Sequence, residues 1–319
     1  MATKFLNLIK NQIFSQYASY LTEQCIQQEG RKLDLSRLKL KELPAELTLA
    51  FAFLSKLSLE GNFLRFESII VLHSLKFLRY LALNNNQLAL FPEELCELKY
   101  VEFLNLSDNP IECLPEAIGK LKNVTTLWCN DMMLSQLPST FGSLRKLKTF
   151  GARNNQLAAL PESFGMLRRL KWLSLEGNHI SAMPESFEWL RNLSHLNLKG
   201  NSFIEFPVEL FQMRRLKFCS LANNSISALS EVTLEGVRFI DTLELSGNPA
   251  NVSVYGNFEN IQAKVLRLQF DLMDETVEEE WKHSLPNSEL NSPDTSGDET
   301  DMEPYDYELP KLARYCCAV

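Results

Sequence analysis

Leu170-Lys-Trp-Leu-Ser-Leu-Glu-Gly-Asn178, continued by His-Ile-Ser-Ala-Met-Pro184-Glu-Ser-Phe187-Glu-Trp-Leu190, is one copy of a pattern that fills most of this 319-residue chain. The next copy, Leu193-Ser-His-Leu-Asn-Leu-Lys-Gly-Asn201, starts 23 residues later. Self-similarity at a fixed period outranks every other signal in a sequence. The kernel LxLxxN begins at Leu57, Leu81, Leu104, Leu173, Leu196 and Leu243, with variants at Leu33, Leu127, Phe150 and Cys219. Six steps between successive starts are 23 residues and three are 24, which gives ten repeats; a degenerate eleventh start falls at Leu266.

Each part of the repeat has a physical reason. Asparagines recur in register at Asn62, Asn86, Asn109, Asn155, Asn178, Asn201, Asn224 and Asn248, while Leu38 and Met132 occupy that column in repeats one and five. An inward asparagine can satisfy the backbone groups that a buried bend leaves unpaired. An apolar-Pro pair follows, with Pro44, Pro92, Pro115, Pro138, Pro161, Pro184 and Pro207. Proline fixes φ and lacks a donor, which suits an irregular return. A pair such as Phe164 and Leu167 then fits one helical turn facing the core. Strand, bend and short return cannot bury their own apolar edge, so stacking of copies supplies the core.

These residues carry a resemblance. The chain resembles the short leucine-rich-repeat family with the LPxxIxxLxxLxxLxLxxN signature, including Scribble-type scaffolds and plant Ras-group repeat proteins. The resemblance covers residues 31–270. It implies an α/β solenoid with a curved parallel β-sheet on the concave face and short helical or irregular convex returns. It also implies a binding protein of intracellular signalling, with a small GTPase or signalling enzyme as partner. The matching residues are structural, so any site must be argued separately.

Outside the repeats, residues 1–30 read as an amphipathic capping helix, with Phe5, Leu6, Ile9, Ile13, Phe14, Tyr17 and Leu21 at helical spacing. The other reading of this helix is a partner-binding element. Residues 250–270 are expected to close the far end. Residues 271–319 form an acidic tail rich in Ser, Pro, Asp, Glu, Asn and Thr, a composition that cannot bury enough surface to order itself. Positions 274–308 hold 13 acidic residues against Lys282 alone, so −8 overall against −12 there leaves the rest of the chain at +4. Ser292-Pro293, Thr295 and Ser296 match kinase motifs. Cys316-Cys317-Ala318-Val319 matches a prenylation box in form, although Val at the end and Cys in second place depart from the preferred forms. A tethered end that touches a membrane peripherally and an unmodified tail both remain open.

Seven cysteines without paired spacing indicate a reducing compartment. The absence of a signal peptide or a long apolar run makes a cytoplasmic chain the expectation, with membrane association through the C-terminus as the variant reading. A monomer is expected.

In a strand, alternate residues face opposite sides. The two leucines of LxL therefore point inward, and three columns flank them on the concave face. They place Tyr80, Phe103, Trp128, Trp172 and Phe218 there, with Arg153 and His195 among them. Aromatics and arginine dominate binding hot spots, so these seven residues are the candidate partner-binding set, with Gly151 as a gap for a partner's side chain. Just before the strands, Lys99, Lys120, Lys122, Arg145, Lys146, Lys148, Arg168, Arg169, Lys171, Arg191, Arg214, Arg215 and Lys217 make a basic edge. It reads as a solvated rim, or as a contact for an acidic partner, an anionic membrane or the acidic tail. Nucleic acid is not expected, because the concave columns carry few bases. Lys99-Tyr-Val-Glu-Phe103 resembles a phosphatase docking motif, but Val101 is a core position of the repeat. His73, His179, His195 and His283 show no metal-ligand spacing, and no phosphate loop or nucleophile elbow appears. A non-enzymatic scaffold without metal or cofactor is the expected function. The alternative is a substrate-recognition subunit of a ubiquitin ligase or a regulatory subunit of a phosphatase.

Overall fold

The ten repeat kernels, Leu-x-Leu or its variants, become ten three-residue strands. The structure is a computed structural model that describes residues 2–50, 52–249 and 267–269, all within a compact unit Met1–Leu272. The second unit, Met273–Val319, lies outside the described residues, and with it the acidic tail, its kinase motifs and Cys316. Helix α1 (Ala2–Gln27) precedes strands β1 (Lys32–Asp34), β2 (Lys56–Ser58), β3 (Tyr80–Ala82), β4 (Phe103–Asn105), β5 (Thr126–Trp128), β6 (Thr149–Gly151), β7 (Trp172–Ser174), β8 (His195–Asn197), β9 (Phe218–Ser220), β10 (Thr242–Glu244) and β11 (Arg267–Gln269). All eleven form one open parallel sheet in chain order. Every repeat start from Leu33 to Leu243 aligns with the next. The eleventh strand differs: Leu268, not Leu266, pairs with Leu243. A sequence without its asparagine offers no second landmark to fix that register.

The core is a stack. Both leucines of each LxL are buried, and the convex side adds Phe141, Phe164 and Phe187, all fully buried. Their rings stack at 5.8 and 6.1 Å between centroids. Each sits in a single 3-10 turn that starts after Pro138, Pro161 or Pro184. Gly142 and Gly165 follow the first two phenylalanines because a Cβ there would strike the backbone of Ser163 or Ser186 in the next turn. Val101 is 1% exposed, so the docking motif around it is locked in the core.

The asparagine ladder closes the bends. Asn178 Oδ1 accepts the Leu157 N–H (3.0 Å), and Nδ2 donates to the carbonyls of Ala152 and Leu175 (2.9 Å each). Asn62, Asn86, Asn109, Asn201, Asn224 and Asn248 repeat these contacts. At repeat five, buried Met132 interrupts the ladder. The Ile111 N–H turns instead to Asn109 O (2.8 Å), and an isolated bridge joins Cys113 to Gln136.

A column that the sequence reading did not single out stands one residue before the ladder. Gly61, Asn85, Asp108, Asp131, Asn154, Gly177, Gly200, Asn223 and Gly247 all have φ between 52 and 68°. Gly, Asn and Asp visit that left-handed region most readily, and they hold the column except in repeat one, where Arg37 adopts φ 59°.

The N-terminal helix packs against the turn Ala45–Ala50 and against β1. Its contact face overlaps the expected one only in part, with Leu21 packed against the core. Ala18, Thr22 and Cys25 are buried, at helical spacing, whereas Ile13 and Tyr17 are exposed. Small side chains at 18 and 22 let the helix approach closely, and Thr22 Oγ1 returns to Ala18 O (2.8 Å). The side chains of Phe5, Leu6 and Ile9 are outside the described residues. Among the described residues no helix is long and apolar enough to cross a membrane.

Candidate protein-binding face

The middle residue of each strand triplet faces the core, so the two outer residues and the residue two positions further on build the concave face in three columns. The last strand residues form its floor. Ala82, Gly151, Ser174 and Ser220 are all buried there, because small side chains let the neighbouring columns close over them. The first strand residues form an aromatic wall. Lys56 Nζ lies 4.4 Å from the Tyr80 ring centre, and Tyr80 stacks on Phe103 at 4.3 Å and 6°. Thr126 and Thr149 follow. Then come Trp172 and the pair His195 and Phe218, stacked at 6.3 Å. Tyr80, Phe103, Trp172 and Phe218 keep part of their surface in water, and His195 is exposed.

Trp128 does not. It lies on the floor column, 7% exposed, with its ring across Gly151 and edge-on to Trp172 at 5.2 Å and 63°. A Cβ on Gly151 would sit 2.5 Å from Trp128 Cε3. The gap at Gly151 is thus filled from within, and Trp128 is packing rather than an open anchor. Strand alternation placed the residue on the right face but could not show which way its ring leans.

The third column is polar and largely engaged. Arg153 Nε meets Asp131 Oδ2 at 3.3 Å, and the Arg153 N–H donates to Asn130 Oδ1 (3.0 Å). Glu176 accepts from Asn197 Nδ2 (2.9 Å) and pairs with Lys199 at 3.7 Å. Asp108, near Asp131 and Arg153, has its carboxyl pushed up by partial desolvation and by the Asp131 charge. Although the residue as a whole is exposed, partial desolvation of the ring, which stacks on Phe218, and then the Lys217 charge hold the His195 imidazole below its ordinary value, and its Nδ1 contacts Ser194 Oγ at 2.9 Å. His195 is therefore neutral at physiological pH, a contact ring rather than a charge. The seven candidate residues thus fall into two aromatic groups, Tyr80 with Phe103 and Trp172 to Phe218, separated by threonines and by the Trp128 clasp.

Among the described residues the buried cysteines are not set up as nucleophiles. Burial pushes the Cys96 thiol up to about 12, and it raises those of Cys129 and Cys219 further. A raised thiol is inert as a nucleophile or ligand. Among the described residues no group of three His, Cys, Asp or Glu converges as a metal site.

All thirteen cations of the basic edge are exposed. Among the described residues only Lys120 forms an ion pair, with Glu97 at 2.7 Å.

Comparison with known proteins agrees with this geometry. A family model described as a leucine-rich repeat region matches residues 31–158, and a second, leucine rich repeat, matches residues 145–203. No curated protein matches. Among solved structures, a leucine-rich-repeat protein of Leptospira interrogans is 26% identical with a TM-score of 0.50, over 71% of this chain and 75% of its own. An internalin (InlF) of Listeria monocytogenes is 16% identical with a TM-score of 0.54, over 72% of this chain and 81% of its own. The functional domain of InlJ, also from Listeria monocytogenes, is 18% identical with a TM-score of 0.56, over 70% of this chain and 46% of its own.

Proposed function

We propose that this leucine-rich-repeat protein is a non-enzymatic scaffold that holds a partner protein on its concave face, anchored by Tyr80, Phe103, Trp172 and Phe218. Repeat regions of this kind commonly serve as protein-interaction modules. The observation that carries the reading is the aromatic wall. Stacking of repeats requires the leucines and asparagines, but it does not require partly exposed rings in the first column, where Thr126, Thr149 and Thr242 serve the fold equally well. Aromatic rings on a rigid, concave sheet offer large contact area at low entropic cost, which is where binding energy concentrates. In this reading the scaffold works inside the cell, on a signalling enzyme or small GTPase.

The test is affinity purification with the intact chain and with Phe103→Ala/Phe218→Ala, followed by calorimetry on the recovered partner. Hot-spot truncation costs about 2 kcal/mol or more, so affinity falls about thirtyfold while the melting temperature stays near that of the parent. If both chains recover the same proteins with the same affinity, the aromatic wall is not the binding surface. Recovery of cullin components or a phosphatase catalytic subunit would favour an adaptor reading, and exposed Ile13, Tyr17 and Tyr20 on α1 offer the surface for a second docking element.

A further inference from the structure

The basic edge is not uniform. The residue two before each first leucine is Lys148, Lys171, Ser194, Lys217 and Asp241 in successive repeats, and the residue four before is Arg169, Asn192 and Arg215. Repeat eight thus carries short neutral side chains, Ser194 and Asn192, where its neighbours carry long cations. Strands two apart lie about 9.5 Å from each other. The step leaves a pocket of about 410 Å³ between Lys171 on one side and Arg214, Arg215 and Lys217 on the other.

Its floor is neutral and already satisfied. Ser194 Oγ donates to Lys171 O (2.9 Å), and Asn192 Nδ2 donates to Arg168 O (2.7 Å). Its walls are charged, and the two arginines are held in place. Arg215 Nη1 donates to Asn192 Oδ1 (2.6 Å), and the Arg214 guanidinium lies on the Phe239 ring at 4.9 Å. Four cations face one carboxylate, Asp241, and none of the five forms an ion pair among the described residues. Clustered like charges raise the free energy of the empty pocket. A polyvalent anion relieves it. A phosphate monoester brings about −1.5 to −2 charges and three acceptor oxygens, which suits two positioned guanidinium forks better than a carboxylate does.

We propose that this pocket binds the phosphate of a phosphorylated serine or threonine segment in a partner protein. A peptide is favoured because the pocket is open, lies at the N-terminal ends of β7 to β9, and adjoins the stacked rings of His195 and Phe218, over which flanking residues can run. The site stands independently of the Tyr80 and Phe103 anchor.

The experiment is fluorescence polarisation with three labelled peptide pools of the same degenerate sequence, centred on phosphoserine, serine or glutamate. The phosphoserine pool is expected to bind at least tenfold tighter than the other two, with inorganic phosphate competing. Arg214→Gln/Arg215→Gln should erase the preference, whereas Lys120→Gln on the same edge and Phe103→Ala on the wall should keep it. Arg215→Lys, which retains charge and loses the fork, should lose most of it. Parent-like melting curves establish that each variant is folded. Equal affinity for the glutamate and phosphoserine pools overturns the proposal, because the edge is then a charge surface only. So does an equal loss with Lys120→Gln. Arginine-dependent binding to phosphatidylserine vesicles without phosphopeptide preference would make the site a membrane contact and sink the proposal as well.

Discussion

Gly151→Ala tests the Trp128 clasp, because one methyl group meets one ring. The added Cβ would stand 2.5 Å from Trp128 Cε3, 2.6 Å from Cζ3 and 2.9 Å from Asn130 Oδ1. Ordinary carbon contacts lie at about 3.5–4.0 Å, so the indole must retreat by about 1 Å. It cannot do so freely, since Trp172 stands behind it at 5.2 Å and the Asn130 amide holds the Arg153 N–H. Overpacking of this kind costs about 1–3 kcal/mol, and each kcal/mol lowers the midpoint of a chain this size by roughly 2–4 °C. Backbone entropy works the other way, because glycine in a strand is disfavoured against alanine by about 0.5–1 kcal/mol. In a Trp128→Ala background both ring contacts are gone and only the approach to Asn130 Oδ1 remains, so the methyl group costs much less. The double-mutant cycle, read by urea denaturation with far-UV dichroism, should give a coupling of at least about 1 kcal/mol, and indole emission should shift to the red in Gly151→Ala alone. An equal cost of Gly151→Ala in both backgrounds would refute the packed position of Trp128.

Three further outcomes are expected. Asn178→Leu leaves the buried Leu157 N–H and Ala152 carbonyl without partners, the Leu175 carbonyl keeping its bond from Asn201, and should lose a few kcal/mol at about 1–3 per group, while His179→Ala, on an exposed side chain, should leave the urea midpoint unchanged. Asp108→Asn should stabilise the fold at neutral pH: the raised carboxyl favours the protonated form, so its contribution is present at low pH and lost as pH rises through the raised value, and asparagine keeps the left-handed φ of 58° without the charge. Conversely, the depressed His195 imidazole contributes stability at neutral pH that is lost as pH falls below its ordinary value near about 6.5. Melting curves of His195→Gln should accordingly fall less between pH 7 and pH 5 than those of the parent.

The repeat phase, the strands and the asparagine ladder were legible because each depends on residues fixed by sequence spacing alone. The aromatic wall followed from strand alternation, and Tyr80, Phe103, Trp172 and Phe218 face the side expected of them. Trp128 was not legible in the same way, since its burial depends on a glycine and a second tryptophan in later repeats. The pocket at Ser194 was visible only as an interruption in a column of cations, and its meaning needed the positions of Arg214 and Arg215. The left-handed column of Gly, Asn and Asp was present in the sequence all along, one place before each ladder asparagine. The eleventh strand missed its expected register by two residues where no asparagine marked it.

The missing rung at Met132 bears on how the protein comes apart. In a linear array, cooperativity is the sum of couplings between adjacent units, and each of the eight side-chain amides here ties one unit to the previous one by at least two bonds. Between the fourth and fifth units that tie is absent, and backbone contacts and the Cys113–Gln136 bridge carry the junction. Two blocks of protection are therefore expected, residues 31–125 and 126–249, with their weakest joint at the seam. Amide hydrogen exchange should register this as a dip at Ile111 and Met133 between two plateaus. Trp128, reaching from the fifth unit over the sixth to the seventh, fastens the second block on the side nearest the joint.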